Sequence, residues 1–496
     1  MSTASDVPAT LAELLDSAAR DAPHAVALRG EDAVLTYGEL RRRVWAAARR
    51  FRSCGLTGHG TTGLLLENTP DCAVAFLAAA RLGLRLVPLE PGVSRERLLA
   101  VRDEAGSLSV VGRSAQLSTL EGSGCLLVPV EFPAGPPDDA ADAADEEPSS
   151  PPAPDAAFLH QYTSGSTGEP KQAVHTQRNL VHGGDIYTRA YGITGEDRIL
   201  LAVPLPHSFG TVAGLVTALH ARAQLVLLGR FTPARLLRAL EEHACTVLVG
   251  APMVYDLVIR AAPSSARPSY ALRLCLSSGA ALPPEVARRA EEQLGTAVRQ
   301  VYGCTEAGVI AAQRPGEPGV GRPMPGVRVR VVDEQGHDVP RGEAGALLVR
   351  TPAMFTHYLG HPEATRRAFL DGWYRTGDVA RLGPEGHLCL VGRKDTFVNV
   401  GGRKVNPLEV EEVLLAHPAV VEAVVWGEAS DSAGERVRAA VVARGPLDAT
   451  ELASHCRARL LPYQVPAEVR FVASLPKNSL GKVRRAAAPG LPAVGT

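Results

Sequence analysis

Short apolar runs alternate with stretches of helical period along the first two-thirds of the chain, and this alternation restricts the possible folds more than any other feature. Thr36-Tyr-Gly-Glu39 is a capping box opening an amphipathic helix through Phe51. Thr62–Leu66 and Leu84–Leu89 read as buried strands on either side of a helix Asp71–Leu82, with a further helix at Arg95–Glu104. The rhythm continues with the strand Ala223–Leu228, helix Pro233–His243, strands Thr246–Val249 and Leu272–Leu276, and helix Pro284–Leu294. Strands joined through helices pair in parallel with right-handed crossovers, which predicts doubly wound sheets. From about Gly326 the pattern changes to hairpins, Val327–Val332 with Ala346–Arg350 and Val379–Leu382 with His387–Val391. Beyond Gly392-Arg393-Lys394-Asp395 comes a helix Pro407–Leu415, strands Val420–Trp426 and Arg436–Ala443, a helix Ala449–Leu460 and a strand Glu468–Val472. The expected class is therefore α/β. Residues 1–394 form a large N-terminal domain of doubly wound sheets plus a β-rich subdomain, and 395–496 a small α+β C-terminal domain.

Composition removes several classes of function. The 496 residues, 45% hydrophobic and 21% charged, can bury a large core without a metal or disulfide staple. A net charge of −1 supplies no global attraction to nucleic acid or anionic lipid. No apolar run approaches the roughly 18 residues of a membrane span, and Met1–Leu11 lacks the basic-then-apolar pattern of a signal peptide. The eight cysteines are scattered without a CxxC pair and read as reduced thiols of a cytoplasmic protein. His357 and His361 are spaced i, i+4 but have Gly360 between them, and no HExxH is present, so they read as loop histidines rather than a zinc pair. The Pro, Ala and acidic stretch Pro133–Ala156 reads as a solvated linker between subdomains.

Lysine is scarce, with five against 47 arginines. Lys171, Lys394, Lys404, Lys477 and Lys482 all fall within 162–171, 393–404 and 476–485. A compact ammonium on a flexible stem is not replaced by arginine at a crowded phosphate, so these segments are the first places to look for chemistry. Tyr162-Thr-Ser-Gly-Ser-Thr-Gly-Glu-Pro-Lys171 follows a buried strand; its glycines, hydroxyls and lysine suit a polyphosphate. It is neither a Walker A loop nor a G-x-S-x-G elbow. Ser277-Ser-Gly-Ala-Ala281 and Tyr302-Gly-Cys-Thr-Glu306 follow apolar stretches, at strand ends where open α/β sheets bind ligands. The second offers an aromatic for a base, a hydroxyl for a phosphate and a carboxylate for a cation. Trp373-Tyr-Arg-Thr-Gly-Asp378 is expected to deliver a carboxylate from a tight turn, suited to ribose hydroxyls, and Pro476-Lys-Asn-Ser-Leu-Gly-Lys482 is a glycine-bearing loop with two of the lysines.

In this order the segments resemble the adenylate-forming superfamily of acyl- and aryl-CoA synthetases, carrier-loading adenylation domains and beetle luciferases, from about Leu35 to Arg485. The resemblance implies ATP and Mg²⁺ as cofactors. It assigns Thr163, Ser164, Ser166, Thr167 and Lys171, with Gly168 in the same loop, to the β- and γ-phosphates. It lays Gly279 and Ala280 along the adenine with Tyr302 stacked on it, and places Asp378 and Arg393 on the ribose. The catalytic set it implies is Lys482, bridging the carboxylate and the α-phosphate; Thr305 at the α-phosphate; Glu306 on the metal; and His207 at a gating position beside the acid. Asp395 falls at the hinge of a mobile C-terminal domain, whose rotation brings the loop at Gly402 to the acceptor tunnel.

The implied activity is that of an AMP-forming acid–thiol ligase, most simply an acyl- or aryl-CoA synthetase. A carboxylate is a poor electrophile and is repelled by the α-phosphate, so a cation between the two and a metal on the leaving pyrophosphate are what the first step requires. The implied partners are a small-molecule carboxylic acid and CoA. A phosphopantetheine arm on an acyl carrier protein, or an amine, is the alternative acceptor; no nucleic acid and no membrane is expected. By resemblance the acid pocket is lined from Pro206–Gly210, Gly250–Tyr255, Ser277–Ala281 and Cys304–Ala311, with Gly210, Ala213 and Gly214 leaving room. No Asp or Glu occurs from Arg198 to Leu240, so an ammonium would be uncompensated there and a neutral-tailed acid is favoured. Two positions depart from the usual pattern: His357, where glycine is common, and Asn399, where lysine is common. A nucleotide sensor that has lost catalysis is the rival reading, and retention of Lys482, Glu306 and Asp378 speaks against it.

Overall fold

The computed structural model describes every residue except 1–7, 32, 57, 59, 66, 132–151, 164–170, 262–269, 315, 401–402, 431–433, 479–480 and 493–496. Most of the acidic linker, and the candidate residues Ser164, Ser166, Thr167, Gly168 and Gly402, lie outside the described residues, as does the side chain of Asp395. Contacts divide the chain into two units, one of Met1–Pro315, Pro323–Arg328 and Arg350–Gly372, the other of Gly316–Arg322, Val329–Val349 and Trp373–Thr496.

The first unit is doubly wound, as the alternation predicts. In its seven-stranded sheet the strand Thr61–Leu65 lies between parallel neighbours Arg85–Leu89 and Leu108–Gly112. In its nine-stranded sheet Arg198–Leu201 lies between parallel Gln224–Leu227 and Val247–Gly250. The chain thus leaves each central strand to one side and later returns on the other, and such a switch opens a crevice at the carboxyl ends of the strands. The helix Pro70–Arg81 is apolar all round and buried along its length, as a helix without a polar face must be. Helix Tyr37–Ser53 begins at the expected capping box, with Thr36 and Glu39 bonded reciprocally. Residues Gly210–Val216, read above only as pocket lining, form a π-helix. It lies so close to helix Gln177–Tyr191 that a Cβ on Gly183 or Gly184 would stand 2.7 or 2.8 Å from Val212 or Val216.

In the second unit, strands Arg328–Val332, Ala344–Arg350, Trp373–Leu382 and Leu388–Arg393 share one sheet. A second sheet carries Val398–Val400, Arg403–Val405, Val420–Ser430, Gly434–Ala443 and Glu468–Phe471. Helices Pro407–Leu415 and Ala449–Arg457 cover it through Val410, Leu414, Leu452 and Cys456, around Val425, Val437, Ala439 and Val441. All eight cysteines are free thiols. Among the described residues no helix is long and apolar enough to cross a membrane.

Candidate active site

The phosphate-suited segment connects two antiparallel strands. Ala157–Thr163 pairs with Lys171–Thr176, and Thr163 faces Lys171 across the last rung. Thr163 is buried and Lys171 half-buried. Tyr162, which opens the segment, donates its hydroxyl to Glu104 at 2.6 Å and accepts from Gln172 at 2.8 Å, with the Arg97 guanidinium 4.1 Å from its ring centre. Burial and the adjacent Glu104 carboxylate push this phenol well above its usual range.

The second motif turns back on itself. Strand Val298–Cys304 pairs antiparallel with Gly308–Ala312, which leaves Thr305-Glu306-Ala307 as the corner and Tyr302, half-buried, opposite Ala311. Three hydrogen bonds fasten this corner. Nε2–H of His175 donates to the Thr305 carbonyl at 2.8 Å, the Tyr358 hydroxyl donates to Glu306 Oε1 at 2.8 Å, and the Phe355 amide donates to the Glu306 carbonyl at 2.7 Å. His175 is only 3% exposed, and burial lowers its pKa to about 4, so the ring is neutral. A carbonyl can only accept, so the proton sits on Nε2. Tyr358 lies on the short strand His357–Tyr358, which pairs with the strand leaving the phosphate segment: His357 faces Val174 and Tyr358 faces Ala173. The corner and the phosphate hairpin are thus tied to one piece of backbone.

His357 sits in this strand without a positive φ, so a glycine is not demanded there. His361 stands at the N-cap position of helix Pro362–Ala368 without a side-chain capping bond. Among the described residues no group of three or more His, Cys, Asp or Glu is placed to hold a metal. A magnesium ion that arrives with ATP needs no such cage, because phosphates and water complete its shell around one or two carboxylates. The hard oxygens of Glu306 and Thr305 fit that role.

On the other side of the crevice, the loop after Leu201 carries His207. Asn68, just beyond the central strand of the seven-stranded sheet, donates to the Val203 carbonyl at 2.9 Å and accepts from the Leu205 amide at 2.8 Å. Gln161, on the strand entering the phosphate segment, donates to the Pro206 carbonyl at 3.0 Å. His207 Nδ1 accepts from the Phe209 amide at 3.2 Å, so the neutral ring carries its proton on Nε2. Gly279, beyond strand Leu274–Ser277, has φ +93°, which a side chain would strain; Gly279 and Ala280 are half-buried.

Three sequence expectations are corrected here. Gly210 and Gly214 do not open space for the acid: a Cβ on Gly210 would lie 2.2 Å from the Pro204 carbonyl oxygen, and one on Gly214 would lie 3.0 Å from Leu201. Tyr255 does not line a pocket but is fully buried, donating to the Leu276 carbonyl at 2.8 Å. Asp378, expected on a tight turn, lies within strand Trp373–Leu382.

In the second unit Asp378 faces Arg393 in antiparallel register, with Arg393 Nε 3.0 Å from Asp378 Oδ1 and Nη2 donating to the Thr376 carbonyl at 3.2 Å. The Thr376 hydroxyl accepts from the Asp378 amide at 3.0 Å and donates to the Leu347 carbonyl at 3.1 Å. Lys394-Asp395-Thr396 is a single 3₁₀ turn after the arginine. Lys482 is exposed on a small hairpin held by Asn478, whose Oδ1 accepts from the Lys482 amide and whose amide donates to the Lys482 carbonyl, both at 2.9 Å. Lys477 of the same hairpin pairs with Glu422 at 2.8 Å. Sequence reading missed His175, Tyr358 and Asn68. None of the three carried a signal in its own segment, since even the strand of His175, Lys171–Thr176, mixes polar and apolar residues.

Residues 15–359 match the AMP-binding enzyme family and 409–482 match the AMP-binding enzyme C-terminal domain. A sulfoacetate–CoA ligase of Cupriavidus necator is 33% identical over 96% of this chain and 96% of its own. A feruloyl-CoA synthase of an Amycolatopsis species is 33% identical over 94% and 95%. The structure of o-succinylbenzoate coenzyme A synthetase from Bacillus subtilis with ATP and magnesium superimposes with a TM-score of 0.84 at 28% identity, covering 95% of this chain and 98% of that one. With a family match over more than half its length and relatives aligned nearly end to end, this chain belongs to the AMP-binding enzymes, the adenylate-forming ligases.

Proposed function

We propose that this protein joins a small-molecule carboxylic acid to ATP as an acyl-adenylate, releasing pyrophosphate, and then passes the acyl group to the thiol of CoA with release of AMP. The observation that carries this is the fastening of the Thr305–Glu306 corner, through His175 and Tyr358, to the strand that begins at Lys171. This tie supports the reading that the Thr305 hydroxyl, the Glu306 carboxylate and Lys171 serve one triphosphate.

In this reading Thr163 and Lys171, with Ser164, Ser166, Thr167 and Gly168, bind the β- and γ-phosphates. Thr305 meets the α-phosphate, and Glu306 holds the Mg²⁺ that comes with ATP and helps pyrophosphate leave. Gly279 and Ala280 flank the adenine and Tyr302 stacks on it, while Asp378, oriented by Arg393, accepts from the ribose hydroxyls. Lys482 neutralises two oxyanions that otherwise repel, and its effect grows as charge develops at phosphorus. His207, with its loop fixed by Asn68 and Gln161, gates the acid. A boundary at 394/395, turning at Asp395, gives a C-terminal domain whose glycine at 402 keeps the thiol path open.

The site disfavours an acid carrying an ammonium, because no carboxylate stands between Arg198 and Leu240. A carrier-bound phosphopantetheine presents the same thiol as CoA, and the acceptor test includes it. Acid-dependent exchange of labelled pyrophosphate into ATP, over a panel of acids and without acceptor, tests the first step; absence of exchange with every acid defeats the reading. Release of AMP on adding CoA, but not on adding holo-carrier or amine, identifies the acceptor.

A further inference from the structure

We propose that Tyr358 and His175 are positioning residues that clamp the Thr305–Glu306 corner from two sides, so that Glu306 meets the magnesium of bound ATP with a single oriented carboxylate oxygen. The inference rests on the reading of Glu306 as the metal carboxylate. Tyr358 donates to Oε1 of Glu306 at 2.8 Å, which fixes the rotamer of the carboxylate and reserves Oε2 for a ligand. Monodentate binding suits magnesium, which demands near-octahedral geometry and tolerates little ligand drift. Groups that orient a metal-binding carboxylate typically contribute ten- to hundredfold to metal affinity, without touching the metal.

His175 acts on the other side of the same turn. Its Nε2–H bond to the Thr305 carbonyl, together with the Phe355 amide on the Glu306 carbonyl, fixes the two peptide units around the carboxylate. The buried ring donates one hydrogen bond to the turn and reaches it from a strand 130 positions away. Tyr358 and Phe355 also pack ring to ring at 4.8 Å, and Phe355 stacks on Phe369 at 5.4 Å, so the donors are themselves held by aromatic packing. None of these residues lies in the motifs that bind nucleotide by resemblance, yet each meets the corner more than 40 positions away in sequence.

Calorimetric titration of the full chain with MgATP, and separately with ATP in excess chelator, tests the clamp without knowledge of the acid. For Tyr358→Phe the expected result is about tenfold weaker MgATP binding, with metal-free ATP affinity within about twofold of wild type. His175→Leu should weaken MgATP binding about threefold. His175→Gln, whose amide nitrogen reaches the place of Nε2, should restore it. A purely structural role predicts equal losses for both nucleotide forms in Tyr358→Phe, and that result overturns the clamp, as does a variant indistinguishable from wild type in both titrations. If wild type binds neither form, the nucleotide reading itself falls and the clamp with it. Thermal unfolding of each variant, expected within about 2 °C of wild type for Tyr358→Phe, separates misfolding from misplacement.

Discussion

The Thr305–Glu306 corner and the Lys482 hairpin are built on opposite plans. The corner is fastened by a buried histidine, a tyrosine hydroxyl and a backbone amide, each reaching it from a distant part of the chain. Among the described residues the hairpin carries local bonds from Asn478 to the Lys482 and Gly481 backbone beside the Lys477–Glu422 pair, and it presents an exposed lysine. Groups that stabilise developing charge are most effective when they are already oriented, because nothing need reorganise during the reaction. On the proposed reading Lys482 is needed in the first half-reaction and is in the way during the second, which is the opposite requirement. The difference between the two regions is what a two-step ligase calls for.

The largest effect that follows is on Lys482. Lys482→Ala is expected to lower acid-dependent pyrophosphate exchange by about a hundredfold or more, the scale of losing a principal charge-stabilising group. Thioester formation from supplied acyl-adenylate should remain within about threefold of wild type. Equal loss of both half-reactions breaks the comparison, since the lysine would then belong to a fixed site like the corner.

The second effect is on stability against pH, and its sign differs between the two units. His175 and His160 titrate near 6.5 when unfolded, whereas burial lowers both to about 4 in the fold. Between those values the unfolded chain binds more protons, so this stability is complete above about pH 6.5. It then falls by about 1.4 kcal/mol per pH unit per ring until about pH 4. In the second unit burial raises the carboxyl of Glu411 despite its 2.6 Å pairing with Arg485. There the fold takes up a proton before the unfolded chain does, and acid relieves rather than destabilises. Hydrogen exchange read separately in 171–176 and 420–430 as pH falls from 6.5 should show protection fading first in the earlier strand, and His175→Gln should remove one ring's share of the slope.

Most of the fold was legible because its signals are local. Helices Pro284–Leu294 and Pro407–Leu415 have the bounds that their initial prolines mark, the first ending at Gly295 in the left-handed region. The capping box at Thr36 is equally local. The π-helix Gly210–Val216 was not legible, because its packing partners Gly183 and Gly184 come from another helix. The small residues there are small to let backbones meet, not to leave a cavity. The same division runs through the site: motif residues announce themselves by type and spacing, while the residues that orient them bond to backbone and side-chain groups far off in sequence. His175 reaches Thr305 across 130 positions and Asn68 reaches Leu205 across 137, and no pattern within either segment encodes that partnership.

The smallest effects come from two asparagines that each hold a loop, Asn68 the one that carries His207 and Asn478 the Lys482 hairpin. Asn68 bonds the Val203 carbonyl and the Leu205 amide in a part-buried setting. Removing both bonds in Asn68→Ala should cost about 1–2 kcal/mol in chemical denaturation. It should also raise the apparent KM for the acid several-fold, by releasing the loop that carries His207. Asn478 sits on an exposed hairpin, so Asn478→Ala should change stability by no more than about 0.5 kcal/mol. It should nonetheless lower the rate of adenylate formation several-fold, because the Lys482 backbone is no longer set by Oδ1. A large stability loss with unchanged adenylation in Asn478→Ala would mean that this hairpin is a structural staple, and the contrast between a fixed corner and a delivered lysine would then be lost.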